Sequence, residues 1–134
     1  MRKVGIWIDQ REANVISMKG NEASSKIIYS DIETRIRTEG EKKQFGRFGD
    51  QFLVDEKGKK NRIKEFTQKF LVRVTKEVSS ADQIILFGPA QTKFKLEKMM
   101  SENAELISKL EGVFTEENMT HNQKLAYVRD FYSK

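Results

Sequence analysis

The residues best suited to chemistry are concentrated in one short stretch, Glu41-Lys42-Lys43-Gln44-Phe45-Gly46-Arg47-Phe48-Gly49-Asp50-Gln51. Lys42, Lys43 and Arg47 supply cations that suit phosphate oxygens. Phe45 and Phe48 supply flat apolar rings that can stack on unpaired bases. Gly46 and Gly49 open backbone angles that a side chain forbids. Lys59, Lys60 and Arg62 continue the cationic run. Together these residue types read as an RNA-binding surface. A surface loop with nothing bound uses the same residues, and that reading stays open here.

Other chemistries are poorly supplied. A metal-dependent nuclease needs several carboxylates around divalent ions that clamp the attacking and leaving oxygens. Asp9 ends an apolar run and could begin such a set. The next buried run, Ile84 to Phe87, ends in Gly88-Pro89 with no acid, and Asp82 precedes that run, so it should sit at the opposite edge. Glu65 is a weak third, so Asp9 is expected to be a strand-end or turn residue, and no metal site is expected. His121 is the only histidine and there is no cysteine. A nucleophilic triad could run only through His121, at an ordinary helix start, and thiolate ligands and disulfides are excluded. Gly46-Arg47-Phe48-Gly49 lacks the ending and the strand-to-helix setting of a nucleotide-binding loop. Gly88-Pro89-Ala90-Gln91-Thr92-Lys93 does join a strand to a helix, where backbone N–H groups could meet a phosphate. Pro89 removes one donor, and a structural turn is the expected reading. No cofactor is expected.

Charge supports the first reading. The net charge is +5, yet Arg35 to Lys76 holds 13 basic and 6 acidic residues while the rest holds 12 and 14. All of the excess is therefore central, and a local field of that kind attracts polyanions. Hydrophobic residues make up only 37%, but nine Phe, three Tyr and one Trp can build one core in 134 residues. A single domain over 1–134 is expected. Met1 is followed by Arg2, Lys3 and a strand-like run, and the longest apolar run is too short to cross a bilayer. A cytoplasmic protein without membrane contact is expected; the oligomeric state is not legible.

The elements that must position these residues follow from periodicity. Val4, Ile6 and Ile8 alternate, predicting a strand over Val4 to Asp9. Ala13 to Met18 and Ser25 to Tyr29 predict two more, joined by short links as an antiparallel meander. A long basic loop is expected at about 38–58; so long a stretch inside a domain is usually functional or disordered. Its start, Asp31 to Arg37, could continue the sheet. Lys60 to Ser79 predicts a helix whose apolar stripe is Ile63, Phe66, Phe70, Val74 and Val78, with Arg62, Lys69, Arg73 and Lys76 off that stripe. Gln83 to Phe87 predicts a buried parallel strand. Thr92 is expected to cap a second helix, Lys93 to about Glu102, with Phe94 and Met99 or Met100 inward. A helical turn near Glu105 to Ser108 and a short strand over Glu111 to Thr115 follow. Thr120 and Gln123 form a T-x-x-Q capping box for a last helix, with Leu125, Val128, Phe131 and Tyr132 on one face. The order β-β-β-α-β-α-β-α gives an α/β fold, a mixed five-stranded sheet with helices on both faces. That is the order of ribonuclease-H-like folds.

These residues also carry a family likeness over nearly the whole chain. The pieces are Val4 to Asp9 with Arg11-Glu12-Ala13, Lys42-Lys43 ahead of Gly46-Arg47, and Gly49-Asp50-Gln51. After them come a basic helix, the Ile-Leu-Phe-Gly-Pro strand end with Lys93 beyond it, and Met119-Thr120 with Gln123. In this order they resemble the middle domain of archaeal and eukaryotic class I peptide release factors and of Pelota. Small bacterial stand-alone relatives, often labelled translational-machinery or host-attachment proteins, look more similar still. The resemblance implies a ribosome or tRNA partner, through ribosomal RNA or the tRNA itself. In the release factors the loop carries Gly-Gly-Gln, whose glutamine helps water attack the peptidyl-tRNA ester. Gln51 and Gly49 match that motif, whereas Asp50 replaces its second glycine. A Cβ restricts the backbone there, and a carboxylate is repelled by surrounding phosphates. The implied function is therefore docking without hydrolysis. The alternatives are a peptidyl-tRNA ester hydrolase using Gln51, and a protein-interaction domain using Phe45, Phe48 and Phe52. The sequence holds neither a codon-reading nor a GTPase-recruiting domain, so codon reading in the release-factor manner is not expected.

Overall fold

Lys3–Ile8 forms β1, the centre of the sheet; every residue from Val4 to Ile8 is buried. It pairs on one side with β2 (Glu12–Lys19), antiparallel, Lys3 opposite Met18 and Ile8 opposite Ala13. On the other side it pairs in parallel with β4 (Gln83–Gly88), Val4 beside Ile84 and Trp7 beside Phe87. The outer strands are β3 (Glu22–Tyr29), antiparallel to β2, and β5 (Leu110–Thr115), parallel to β4. The sheet order is β3-β2-β1-β4-β5, so the mixed five-stranded sheet of the sequence reading is the one observed. The computed structural model describes residues 1–32 and 56–133.

Period-two alternation divides the core into two layers. Val4, Ile6 and Ile8 with Ala13, Val15, Ile84 and Leu86 face one side. There they meet α1 (Glu56–Glu77), α2 (Thr92–Ser101) and the short α3 (Ala104–Ser108) through Phe70, Val74, Leu96, Met100 and Leu106. Trp7, Ile16, Met18, Ile85 and Phe87 face α4 (His121–Tyr132), which brings Val128 into the middle of the layer. Gly5 makes that approach possible, since a Cβ on it would lie 2.3 Å from Val128 Cγ2. Each large aliphatic side chain buried here contributes roughly 1.5–3 kcal/mol. Among the described residues no helix is long and apolar enough to cross a membrane.

Several boundaries differ from the sequence reading, each for a local reason. β3 starts at Glu22, not Ser25, because the link is a two-residue turn, Gly20-Asn21, with Lys19 paired to Glu22. Gly20 adopts φ +61°, which glycine accepts without strain. α1 starts at Glu56, so the last part of the expected loop, 56–58, is helical. Ile63, assigned to the apolar stripe, is 39% exposed, whereas Phe70, Val74 and Val78 are fully buried. Thr92 does not cap α2. Gln91 holds the cap position without a side-chain bond, its carbonyl accepts from Phe94 and Lys95, and Thr92 is buried inside the first turn. With Leu96 and Met100 defining the inward stripe, Phe94 turns outward and is 41% exposed. The box at α4 is as expected: Thr120 Oγ1 accepts from Gln123 N–H, and Gln123 Oε1 accepts from Thr120 N–H.

Gly88 closes the β1–β4 seam. Its φ is +149°, and a Cβ would lie 2.4 Å from the carbonyl oxygen of Ile8. Gly88→Ala is therefore expected to lose about 2–4 kcal/mol from the combined backbone strain and overlap. Gly20→Ala, with open space around it, is expected to lose about 1–2 kcal/mol. Urea unfolding of both variants checks the order; equal losses would contradict the close-approach account.

Candidate nucleic-acid interface

Lys42, Lys43, Phe45, Gly46, Arg47, Phe48, Gly49 and Gln51 lie outside the described residues. The other predicted contacts, Lys59, Lys60 and Arg62, lie on α1, and the way α1 is held determines what they can reach. Its later turns are fixed to the sheet. Arg73 donates to the carbonyl of Tyr29 at 2.7 Å, and Lys26 pairs with Glu77 at 3.1 Å. Phe70, Leu71, Val74 and Val78 sink into the core beside these anchors. Arg73 already sits level with the last residue of β3, so the turns ahead of it run past the carboxyl ends of the strands. Residues 58–65 rise about 12 Å along the helix axis. Lys59, Lys60, Asn61, Ile63, Lys64 and Glu65 are all exposed there, and Arg62 is half-buried.

The exposed turns hold Lys59, Lys60, Arg62 and Lys64 against one acid, Glu65, which pairs with Lys69 at 3.3 Å. Downstream, Lys69, Arg73 and Lys76 continue one flank. Lys69 and Arg73 rest their cations on the rings of Phe66 and Phe70 at 5.9 Å, which holds the heads near the helix surface. This edge can bind polyanions; among the described residues it offers no set of three side chains able to hold a metal ion.

The remaining candidates settle into structural roles. Asp9 Oδ1 accepts from the backbone N–H groups of Arg11 and Glu12 at 2.8 and 2.9 Å, forming the turn between β1 and β2. Asp82 lies at the opposite edge of the sheet, where its carboxylate accepts from Arg2 N–H at 2.6 Å. His121 is exposed in the first turn of α4. The β4–α2 turn is filled by its own chain: Lys93 Nζ donates to the Ala90 carbonyl at 2.7 Å, and the Gly88 carbonyl accepts from Glu116 N–H. That supports a structural turn over a phosphate site.

The sequence carries no signal for two buried lysines, because a lysine in a helix ordinarily lies at the surface. Lys93 is almost wholly buried, its ammonium 4.4 Å from the Phe94 ring centroid. Lys124 is buried in α4 with its ammonium 3.6 Å from the Trp7 ring centroid. Among the described residues, the buried indole N–H of Trp7 has no hydrogen-bond partner. On this side of the sheet a shallow cleft of about 630 Å³ is lined by Glu116, Glu117, Gln123, Tyr127 and Asp130, among others. Burial, reinforced by the neighbouring Glu116 charge and its hydrogen bond, pushes the Tyr127 phenol from 10.0 up to about 12. Burial also pushes Tyr132 up, and its hydroxyl donates to the Val4 carbonyl.

No protein-family model and no curated protein sequence matches the chain. Solved structures do share its fold, among them the following two. An archaeal translation termination factor, aRF1, aligns with a TM-score of 0.56 at 12% identity, over 95% of this chain and 33% of its own. The Thermoplasma acidophilum Pelota protein aligns with a TM-score of 0.58 at 10% identity, over 100% of this chain and 32% of its own. The chain thus spans about a third of each.

Asp9→Ala is expected to lose about 1–2 kcal/mol through the two orphaned N–H groups, and magnesium should leave the melting curves of parent and variant unchanged. A magnesium-dependent rise in Tm that disappears in the variant would restore Asp9 as a ligand. Tyr127 gives a pH dependence of defined sign. Its folded pKa lies above the unfolded value, so the unfolded chain loses the proton first and stability falls between pH 10 and about 12. Tyr127→Phe should flatten that part of the urea-midpoint profile; an unchanged slope would contradict the assignment.

Proposed function

We propose that the chain is an RNA-binding module of the translation machinery that docks on the ribosome or on tRNA without hydrolysing the peptidyl-tRNA ester. The observation that carries this reading is the stretch of α1 over residues 58–65, which presents the exposed Lys59, Lys60 and Lys64 and the half-buried Arg62 beside one acid, Glu65, paired with Lys69. A charged helix end beyond the core contributes little to packing and suits phosphate contacts. The termination-factor and Pelota folds, shared over nearly the whole chain, support the choice of translation RNA over other polyanions. In this reading Lys42, Lys43, Arg47, Lys59, Lys60 and Arg62 meet phosphates, Phe45 and Phe48 stack on bases, and Gly46 and Gly49 shape the segment between them. Asp50, standing before Gln51, argues against hydrolysis, because its carboxylate is repelled where RNA phosphates crowd. The work would be done in the cytoplasm and needs no cofactor.

Co-sedimentation with ribosomes on sucrose gradients tests the reading. Binding through about five phosphates predicts a log–log salt slope of roughly −3 to −4. A variant with Lys42, Lys43 and Arg47 changed to Ala should lose co-migration at moderate salt. A protein that stays at the top of the gradient at every salt concentration would overturn the proposal.

A further inference from the structure

Among the described strands β3 is an edge strand, and its outer side is open. The Ser30 N–H donates to the Arg11 carbonyl, and hydrogen-bonded pairs alternate along an antiparallel ladder. Glu22, Ser24, Lys26 and Ile28 therefore turn their backbone groups toward β2, and Ala23, Ser25, Ile27 and Tyr29 turn theirs outward. Arg73 already holds the Tyr29 carbonyl, which leaves Ala23, Ser25 and Ile27 as the open stretch. Ser24 to Ile27 are all exposed, and Ile27 and Tyr29 expose apolar surface on the α4 face. Edge strands ordinarily carry a proline, a bulge or an uncompensated charge that blocks pairing with another chain. β3 has no proline, and its register against β2 is unbroken from Glu22 to Tyr29. Its central charge, Lys26, lies on the α1 face and is paired with Glu77 at 3.1 Å. At the other edge, by contrast, the register of β5 against β4 shifts between Ile84 and Ile85.

We infer that β3 pairs antiparallel with β3 of a second copy of this chain, about a two-fold axis at Ser25, joining the two sheets into one. In that register Ser25 lies opposite its own copy, and Ala23 lies opposite Ile27 of the second copy on both sides of the axis. Each of these pairs exchanges two backbone hydrogen bonds, so every open N–H and C=O from Ala23, Ser25 and Ile27 is used. The exposed Ile27 side chain is covered against Ala23 of the second copy. Moving the axis to Ser24 would leave Ile27 facing the Gly20-Asn21 turn. Moving it to Lys26 would set two lysines directly opposite each other, which is unfavourable, and would offer Ala23 the carbonyl that Arg73 holds. The edge is thus complementary to itself in one register, and this singles out a second copy as its occupant. One pair of strands buries less than the roughly 1,200 Å² of a stable interface, so the dimer is weak and reversible, with a Kd on the order of 10–100 µM. No cation of residues 58–65 takes part, so the pairing stands or falls apart from RNA binding.

Sedimentation velocity of the full chain, from well below to well above that Kd, tests the pairing. The parent should pass from monomer to dimer. Ser25→Lys and Ser25→Glu each set like charges opposite each other at the axis, and each alone should weaken self-association by about five-fold. Mixed in equal amounts, the two variants should form a heterodimer at least as tight as the parent dimer. An effect of overall charge would instead move them in opposite directions, since one adds to the +5 of the chain and the other subtracts from it. Thermal melts matching the parent show that both variants fold. Ser25→Cys gives a second readout: the chain has no cysteine of its own, and opposed Cα atoms about 5.5 Å apart permit a disulfide. Oxidation should cross-link that variant well ahead of Ser24→Cys, which lies opposite Lys26 of the second copy. A parent that stays monomeric at every concentration would overturn the inference and leave the edge to a strand of another protein. Undiminished dimerisation in both charged variants, a mixture that associates no better than either alone, or equal cross-linking at positions 24 and 25 would overturn the two-fold pairing at Ser25.

Discussion

The parallel pairing of β1 with β4 is the constraint on which the rest of the molecule depends. Antiparallel neighbours can be joined by a tight turn, as β1 and β2 are at Asp9, but parallel neighbours need a crossover that returns the chain to the starting edge. Here α1 completes that return. A six-residue strand spans about 20 Å, whereas the 22 residues of α1 rise about 33 Å. The helix is longer than the crossover requires, and the surplus stands beyond the carboxyl edge. Gly88 lets β4 approach Ile8 closely within the sheet, and Gly5 lets Val128 of α4 approach one face of β1.

Charge follows the same division. Cations concentrate on α1, whereas the cleft beside α4 is lined with Glu116, Glu117 and Asp130. Some basic residues of the central stretch serve the fold itself: Arg73 donates to the Tyr29 carbonyl, and Lys69 pairs with Glu65. The excess that remains available for a polyanion is therefore smaller than a count along the sequence suggests, and it is directional. A phosphate backbone approaching the α4 side meets carboxylates, so the field favours one orientation of approach.

The fold was legible because its signals are local. Alternation in Val4 to Ile8, the apolar run Ile84 to Phe87 and the Thr120–Gln123 box each state their geometry within a few residues. The misreadings were positional. Phe94 and Ile63 looked inward because apolar residues usually are, yet which face of a helix is covered depends on where the sheet ends. Thr92 looked like a cap, but the chain enters α2 one residue earlier. The burial of Lys93 and Lys124 was not legible at all, since nothing in sequence marks a lysine whose ammonium lies on an aromatic ring. Of the candidate interface, the density of cations between Arg35 and Lys76 was legible, part of it lies on α1, and the stretch from Lys42 to Gln51 lies outside the described residues.

Trp7 gives the molecule an internal reporter. It is the only tryptophan, it is held between β1 and α4, and an ammonium sits against its ring. Its emission is governed by whether α4 is seated, because undocking that helix exposes the indole to water and withdraws the Lys124 charge together. The cationic end of α1 lies across the sheet, on the other face. Tryptophan fluorescence thus follows the integrity of the α4 layer while staying silent to events at α1, and one optical signal can separate loss of fold from loss of ligand.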